Sequence, residues 1–568
     1  MCWLTNPVKY SHCSWRSSHL TYSSIRTIYG QSMDSKNSVV AVNQAKEQLT
    51  NGDMNGLKIP NGLRKSHKSY SETLIRLMEF DNNTSVLKRV NPKNIKESSN
   101  KLNLLIQLLD KINIKLDHLN KLNVIHIAGT KGKGSTCAYV ERILRERGYK
   151  TGLYTSPHLV SVRDRIRISG QPISMESFVD YFWSVEPKIA GHDEKPGFFM
   201  FLTLLSFHIF LEEKVDVTIL ETGIGGEFDC TNIVPAPIVT GITSLGIDHT
   251  TVLGDTLESI AWHKAGILKP NVTCFSSPQP ESAIKVIQDR AREKNCPLFV
   301  CPTLDEYQKL TPGQISLGID GQAQKTNASL ALKLSRYWHD NHKVKFSPSN
   351  GLCEVSSNDG NSFPLTSEEI HGLEDTTWPG RCQLVTRGSI KYFLDGAHTV
   401  ESLDNCLEWY NRKSREIRQS DGPIVRVLCF FSAGLRQFEP LIQRVAHEKF
   451  DFALFPSNHI DQPEKYPEIM TDSRYGIEDI TDRITKTRLL WQSIQRENGR
   501  DSVNCKQFTS LSKTLNYLET TLSSQLSDKQ LTDSLDDCKL HVLVTGSLVF
   551  VGNVLTLIDD SNKSYLNG

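Results

Sequence analysis

Zinc-type cysteine spacing is missing from this chain. Its thirteen cysteines are scattered over 568 residues with no C-x-x-C pair and no Cys/His cluster. That pattern argues against a disulfide framework and fits free thiols in a reducing compartment. An excess of either charge is missing too. The 65 lysines and arginines face 64 acids, so no broad electrostatic field recruits nucleic acid. The longest apolar run, Phe198 to Leu211, is shorter than the roughly 20 residues of a membrane span and contains His208. It reads as a buried helix, and no transmembrane segment is expected. No G-x-S-x-G elbow, Ser-His-Asp order or G-x-G-x-x-G fingerprint accompanies the remaining motifs, which excludes a serine hydrolase and a dinucleotide fold.

Acids are also absent from the first 32 residues, which carry Lys9, Arg16 and Arg26 and are rich in serine. This is the composition of a mitochondrial leader, and equally that of a disordered tail. Met33 follows, next to the first acid, Asp34. A second start there yields a product without the leader, so mitochondrial and cytosolic forms are both expected. Residues 33–65 read as disordered.

From about residue 120, short β-rich runs alternate with helical patterns, as in βαβ units around a mostly parallel sheet. "NVIHIAGT" is the first strand. Val140, Ile143, Leu144 and Arg147 then fall at helical spacing up to Gly148, a C-cap residue. "DVTIL" (216–220) and "PIVTGITSLGI" (237–247) read as further buried strands. A second series, "KYFLDGAH", "VRVLCFF", "FDFALF" and "HVLVTGS", gives four strands of a smaller α/β domain. The expected fold is therefore α/β: a P-loop parallel-sheet ATPase domain over 66–370, then a smaller Rossmann-like domain over 371–568. The latter carries a polar insertion near 508–537, part helix and part loop.

Ligands of such sheets bind outside the carboxyl ends of the strands, and the candidate residues cluster there. "GTKGKGST" follows the first strand and opens its helix. It departs from G-x-x-x-x-G-K-[ST]: Ile127 stands five positions before Gly132, and Gly134 occupies the hydroxyl position. Its backbone N–H groups and helix start still suit phosphate, with Lys133 as point charge and Ser135 and Thr136 as hydroxyls. Glu221 ends an apolar strand and precedes Gly223, Gly225 and Gly226, a position suited to a magnesium ligand or a base. Asp248 and His249 repeat the arrangement, although a histidine there more often makes a structural hydrogen bond. Lys264 sits near the end of a short helix, where an exposed lysine would only offset the helix dipole. Asp395 and His398 end a strand of the second series. Two half-sites on two domains fit a reaction completed by closure, and the chemistry they fit is an ATP- and magnesium-dependent transfer.

Together and in order, "GTKGKGST", "TSPHLVSVRDRIRISGQPIS", "LETGIGGEFDCTNIV", "SLGIDHTTVLGDTLESIAWHKAGILK", "TTWPGRCQLV", "YFLDGAHT" and "HVLVTGSL" resemble the eukaryotic folylpolyglutamate synthases. These belong to the Mur ligase group, whose phosphate loop is shortened to G-T-x-G-K-[GST]. The resemblance runs from about residue 70 to the C-terminus. It implies an acid–amino-acid ligase that adds L-glutamate to the γ-carboxylate of tetrahydrofolate polyglutamates through an acyl phosphate, consuming ATP. It further implies that Thr130, Lys131, Gly132, Lys133, Gly134 and Ser135 grip the ATP phosphates. Ser156, Glu221 and His249 match the magnesium ligands, reversing the plainer reading of His249. Lys264 matches a lysine that relatives carry as a carbamate. Gln324 and Asn327 meet the base, Arg381 and Asp395 reach the nucleotide from the second domain, and His398 supports them. A monovalent cation such as K+ is compatible with the family, and a monomer is expected. Two segments depart from the pattern: "FFSAGLRQ" (430–437) lacks the family's asparagine and threonine, and Val549-Phe550 replaces His-Leu. Dihydrofolate synthase activity, and an inactive folate or nucleotide binder, are the competing readings.

Overall fold

The computed structural model describes residues 68–80, 95–343, 361–421, 424–432, 438–461, 477–500, 504–522 and 539–558. They fall in one compact unit. The expected leader, segment 33–65, most of the altered run 430–437 and the insertion beyond Leu522 lie outside the described residues.

The first sheet holds β1 (Val124–Ala128), β2 (Thr151–Tyr154), β3 (Ile166–Ile168), β4 (Gln171–Pro172), β5 (Val217–Glu221), β6 (Val239–Ile242), β7 (Cys274–Ser276) and β8 (Leu298–Val300). Their order is β4-β3-β2-β5-β1-β6-β7-β8. Pairing is parallel from β2 to β8, and the β2-β3-β4 ribbon is antiparallel. Side chains alternate across a strand, and β1 divides accordingly. Ile125 and Ile127 join the core under the helices α1 (Lys133–Glu146) and α4 (Ala323–Asn341), whereas Val124 joins the core under α2 (Phe198–Glu212). Both faces are covered, which is why these strands read as unbroken apolar runs.

The run Phe198 to Leu211 is the buried helix α2, apolar all round, with His208 hydrogen-bonded to Ser184 at 3.2 Å. Among the described residues no helix is long and apolar enough to cross a membrane. α1 ends as the sequence suggests: Gly148 takes φ 83° and donates to the Arg145 carbonyl. The strand expected over 237–247 stops at Ile242. Beyond Thr243, which still donates to Ala128, the Ser244 carbonyl accepts the N–H groups of Thr130 and Lys131. The chain there serves the phosphate loop instead of a neighbouring strand. The helix α3 (Leu257–Lys264) carries Lys264 as its last residue.

The second sheet has six strands, not four: β9 (Gln383–Arg387), β10 (Ile390–Leu394), β11 (Ile424–Phe430), β12 (Phe452–Pro456), β13 (Asn504–Phe508) and β14 (Lys539–Thr545). They run in the order β13-β12-β11-β14-β10-β9, with only β9 antiparallel. The two unexpected strands, β9 and β13, are edges whose residues are half-exposed or exposed. Polar residues predominate in both, and neither carries an unbroken apolar run. α5 (Val400–Asp421) and α6 (Leu548–Ile558) flank this sheet. In the expected insertion, Leu511–Asn516 is helical and runs into a π-helical turn, burying Leu511, Leu515, Leu518 and Leu522.

Candidate active site

The phosphate loop is shaped by what crowds it. Gly132 caps α1 with φ 83°, and a Cβ there would lie 2.1 Å from Asn327 Oδ1. Only glycine accepts both the conformation and the contact. Asn327 donates to Gln324 Oε1 at 3.0 Å, so the first turns of α4 lean on the loop. Gly134 explains the missing hydroxyl of the usual motif: a Cβ there would stand 3.2 Å from Trp378 Nε1 and 3.7 Å from Glu221 Oε2. A tryptophan from the connection to the second sheet fills the place of a serine side chain. Ser135 and Thr136 are buried in the first turn of α1.

Glu221 ends β5 beside this loop and is 4% exposed. Its Oε1 lies 3.9 Å from Lys133 Nζ, and its Oε2 accepts the Ser156 N–H at 2.9 Å. Burial pushes its carboxyl up, against the opposing pull of Lys133, the Ser156 N–H and Arg381. Lys264 is not an exposed helix-end lysine. It is 3% exposed, and its Nζ donates to the Gly129 carbonyl at 2.7 Å. Burial, followed by Lys133, holds its ammonium well below the ordinary range. Lys131 donates to Asp248 Oδ2 at 3.2 Å and is lowered by burial in spite of that partner. Burial acts to raise Asp248, but His398 and Lys131 outweigh it and keep its carboxyl low.

His249 starts the single turn Thr250–Leu253 with φ 53°. No three His, Cys, Asp or Glu side chains gather as a metal cage among the described residues. The Glu221 carboxylate and Ser156 beside the P-loop nevertheless fit magnesium. That ion takes hard oxygens, needs one or two carboxylates and completes its shell with phosphate and water.

The second sheet contributes the opposite wall. Asp395 follows β10, and its carboxylate accepts the N–H groups of Cys382 and Ala397, each at 2.9 Å. Burial raises it, and neighbouring Arg381 opposes that rise. Arg381 donates to the Gly380 carbonyl at 3.2 Å. His398 directs Nδ1 at the Gly396 carbonyl, 2.8 Å away, and its Nε2 lies 3.8 Å from Asp248 Oδ2. The structure therefore gathers Lys131, Lys133, Ser156, Glu221 and Lys264 around one loop. Arg381, Asp395 and His398 face it from the second sheet.

A cavity of about 550 Å³ opens between them, lined by Gly134, Ser156, Glu221, Trp378 and Arg381 among others. A larger hollow of about 660 Å³ lies near the starts of β7 and β8, lined by Asn271, Asn295 and Tyr337. Those are the amino ends of the strands, away from the phosphate loop. The sequence missed Trp378 and Arg167, both of which line the smaller cavity. The only available signal was a tryptophan directly before Pro-Gly-Arg and an alternating arginine run.

No family model matches the chain. It is 36% identical over 546 residues to the mitochondrial folylpolyglutamate synthase of Cricetulus griseus, covering 87% of this chain and 92% of that protein. The Candida albicans folylpolyglutamate synthase is 33% identical over 527 residues, covering 88% and 97%. Among solved structures, Mycobacterium tuberculosis folylpolyglutamate synthase complexed with ADP superposes with a TM-score of 0.62 at 22% identity, over 86% of this chain and 99% of that one. With relatives this similar along nearly their whole length, the chain belongs to the folylpolyglutamate synthase family.

Proposed function

We infer that this protein is an ATP-dependent ligase that adds L-glutamate to the γ-carboxylate of tetrahydrofolate (poly)glutamates, releasing ADP and phosphate. The observation that carries it is the meeting of Lys133, Glu221 and the Ser156 turn at the phosphate loop, in a chain 36% identical to a folylpolyglutamate synthase over most of its length. Solved relatives of the same fold are described as complexes with ADP, with AMPPCP, and with AMPPCP and folate.

In this reading Lys131 and Lys133, with the N–H groups at the start of α1, neutralise the ATP phosphates. Gln324 and Asn327 border the base, while Arg381 and Asp395 approach the nucleotide from the second sheet. The acceptor γ-carboxylate attacks the γ-phosphorus, ADP leaves, and an acyl phosphate forms. The glutamate amine then bonds to the acyl carbon, the carbon–oxygen bond to phosphate breaks, and the amine proton passes to solvent. Positioning and charge neutralisation account for both steps without a covalent enzyme intermediate. Ser156, Glu221 and His249 would hold magnesium, which would supply positive charge to offset that of the phosphates. The depressed Lys264 favours the neutral amine that a carbamate requires, and a carbamate would place an acid at the loop. His398 acts in support, through Asp248.

The mitochondrial designation of the Cricetulus griseus and Bos taurus relatives supports the leader. The proposed second start at Met33 adds a cytosolic form, and the proposed working unit is a monomer. The test is incorporation of labelled glutamate by the full chain with ATP, with tetrahydrofolate and dihydropteroate supplied in parallel. Labelling of tetrahydrofolate alone is expected. Labelling of dihydropteroate would move the assignment to folate synthesis, and labelling of neither would overturn it.

A further inference from the structure

The cavity between the phosphate loop and the second sheet is rich in donors that the ATP chemistry does not use. Arg167 lines it with its guanidinium 5.0 Å over the Trp378 ring. Its hydrogen bonds go only to carbonyls, Asp164 O at 3.4 Å and Gly170 O at 3.2 Å. No carboxylate pairs with it among the described residues. Trp378 Nε1 has no hydrogen-bond partner there either, and it stands next to Gly134. His158 Nδ1 accepts from Arg165 at 2.9 Å, which leaves the ring proton on Nε2. Gln383 Oε1 accepts the Gly380 N–H at 2.8 Å, so its amide N–H groups remain available. Four donor groups, one of them a cation without a counter-ion among the described residues, line a single hollow that Glu221 also lines.

We propose that Arg167, backed by Trp378, His158 and Gln383, binds a carboxylate of the incoming glutamate and selects the amino-acid substrate. This rests on the ligase reading above. Two kinds of carboxylate enter such a site, and their chemistry separates them. The acceptor carboxylate that attacks phosphorus must keep its electron pair available and ends as an amide, so a bidentate arginine would blunt it. The carboxylates of the incoming amino acid take no part in bond making and stay anionic throughout. A fixed guanidinium suits a group that must be held and not consumed. The place suits it as well. The indole under Arg167 reaches Gly134 beside Glu221, so a molecule anchored on the arginine has its other end directed at the phosphate loop.

The experiment uses the full chain, comparing wild type, Arg167→Gln, Arg167→Lys and Trp378→Phe. KM is measured for L-glutamate, ATP and tetrahydrofolate, and the competing amides L-isoglutamine and L-glutamine are assayed as substrates. We expect Arg167→Gln to raise KM for glutamate at least about tenfold, the scale of one charge-assisted hydrogen bond, with KM for ATP unchanged. Arg167→Lys, which keeps the charge and loses the fork, gives a smaller rise. The preference of wild type for glutamate over one of the two amides collapses in Arg167→Gln, and that amide identifies the carboxylate held. A purely structural clamp would not produce this collapse. A rise confined to KM for tetrahydrofolate would give the arginine to the acceptor tail and overturn the assignment, as would an unchanged glutamate KM in both arginine variants. No incorporation by wild type overturns the ligase reading itself.

Discussion

Gly132 and Glu221 fix what the phosphate loop can be. The positive φ of Gly132 and the contact with Asn327 make Gly132→Ala strained on two counts, at roughly 1–3 kcal/mol for the backbone alone. Isothermal titration with ATP is expected to show binding weakened about tenfold or more. Glu221→Gln keeps an acceptor for the Ser156 N–H but removes the charge facing Lys133. Its kcat is expected to fall well over tenfold, the scale of one lost electrostatic group. Unchanged turnover there would remove Glu221 from the proposed magnesium ligands. At this scale the sequence was legible where chemistry announces itself locally, as with an acid between an apolar strand and glycines. Lys264 was ambiguous because burial cannot be read from a helix end. His249 stood out only through the family resemblance. Trp378 was hidden because its partner, Gly134, lies far away along the chain.

At the scale of elements, β1 carries an unusual residue for a central strand. His126 is fully buried, with Nε2 facing Thr231 at 2.8 Å and Thr222 at 3.0 Å, and burial holds its pKa down at about 3. The unfolded chain takes up this proton near the ordinary histidine value of about 6.5, while the folded one does not until about 3. Stability from this group is therefore present above about 6.5 and lost as pH falls toward 3. His126→Gln is expected to show a smaller drop in melting temperature between neutral and mildly acidic pH than wild type. Equal drops would clear His126 of that role. α2 is the other informative element: Phe201 stacks on Phe80 at 4.4 Å and is fully buried. Phe201→Ala is expected to cost about 3–5 kcal/mol in urea unfolding. Central strands and α2 were legible because burial on every side writes a continuous apolar run. The edges β9 and β13 were not, since half-exposed strands carry no such run, and β6 was read too long because Leu245 and Ile247 continue its apolar signal past Ile242.

For the whole molecule, the two sheets and their parallel character followed from the alternation of strand and helix signals. How the second sheet meets the loop did not, because no local pattern records a contact between distant segments. Residues 1–45 fused to a fluorescent protein are expected to enter mitochondria, and fluorescence spread evenly through the cell would dismiss the leader. Starting at Met33 should leave the same fusion outside.

One carboxylate oxygen, Asp248 Oδ2, lies 3.2 Å from Lys131 Nζ and 3.8 Å from His398 Nε2. Lys131 belongs to the glycine-rich loop after β1 and His398 to the segment after β10, so the same atom is shared between them. A terminal phosphate that drew the ammonium toward itself would leave this oxygen to the imidazole. Were nucleotide binding to shift Lys131 in this way, its effect on the Asp248–His398 contact and the reverse effect would be equal by linkage. Asp248 is thus the side chain through which a charge change at Lys131 would be felt directly at His398.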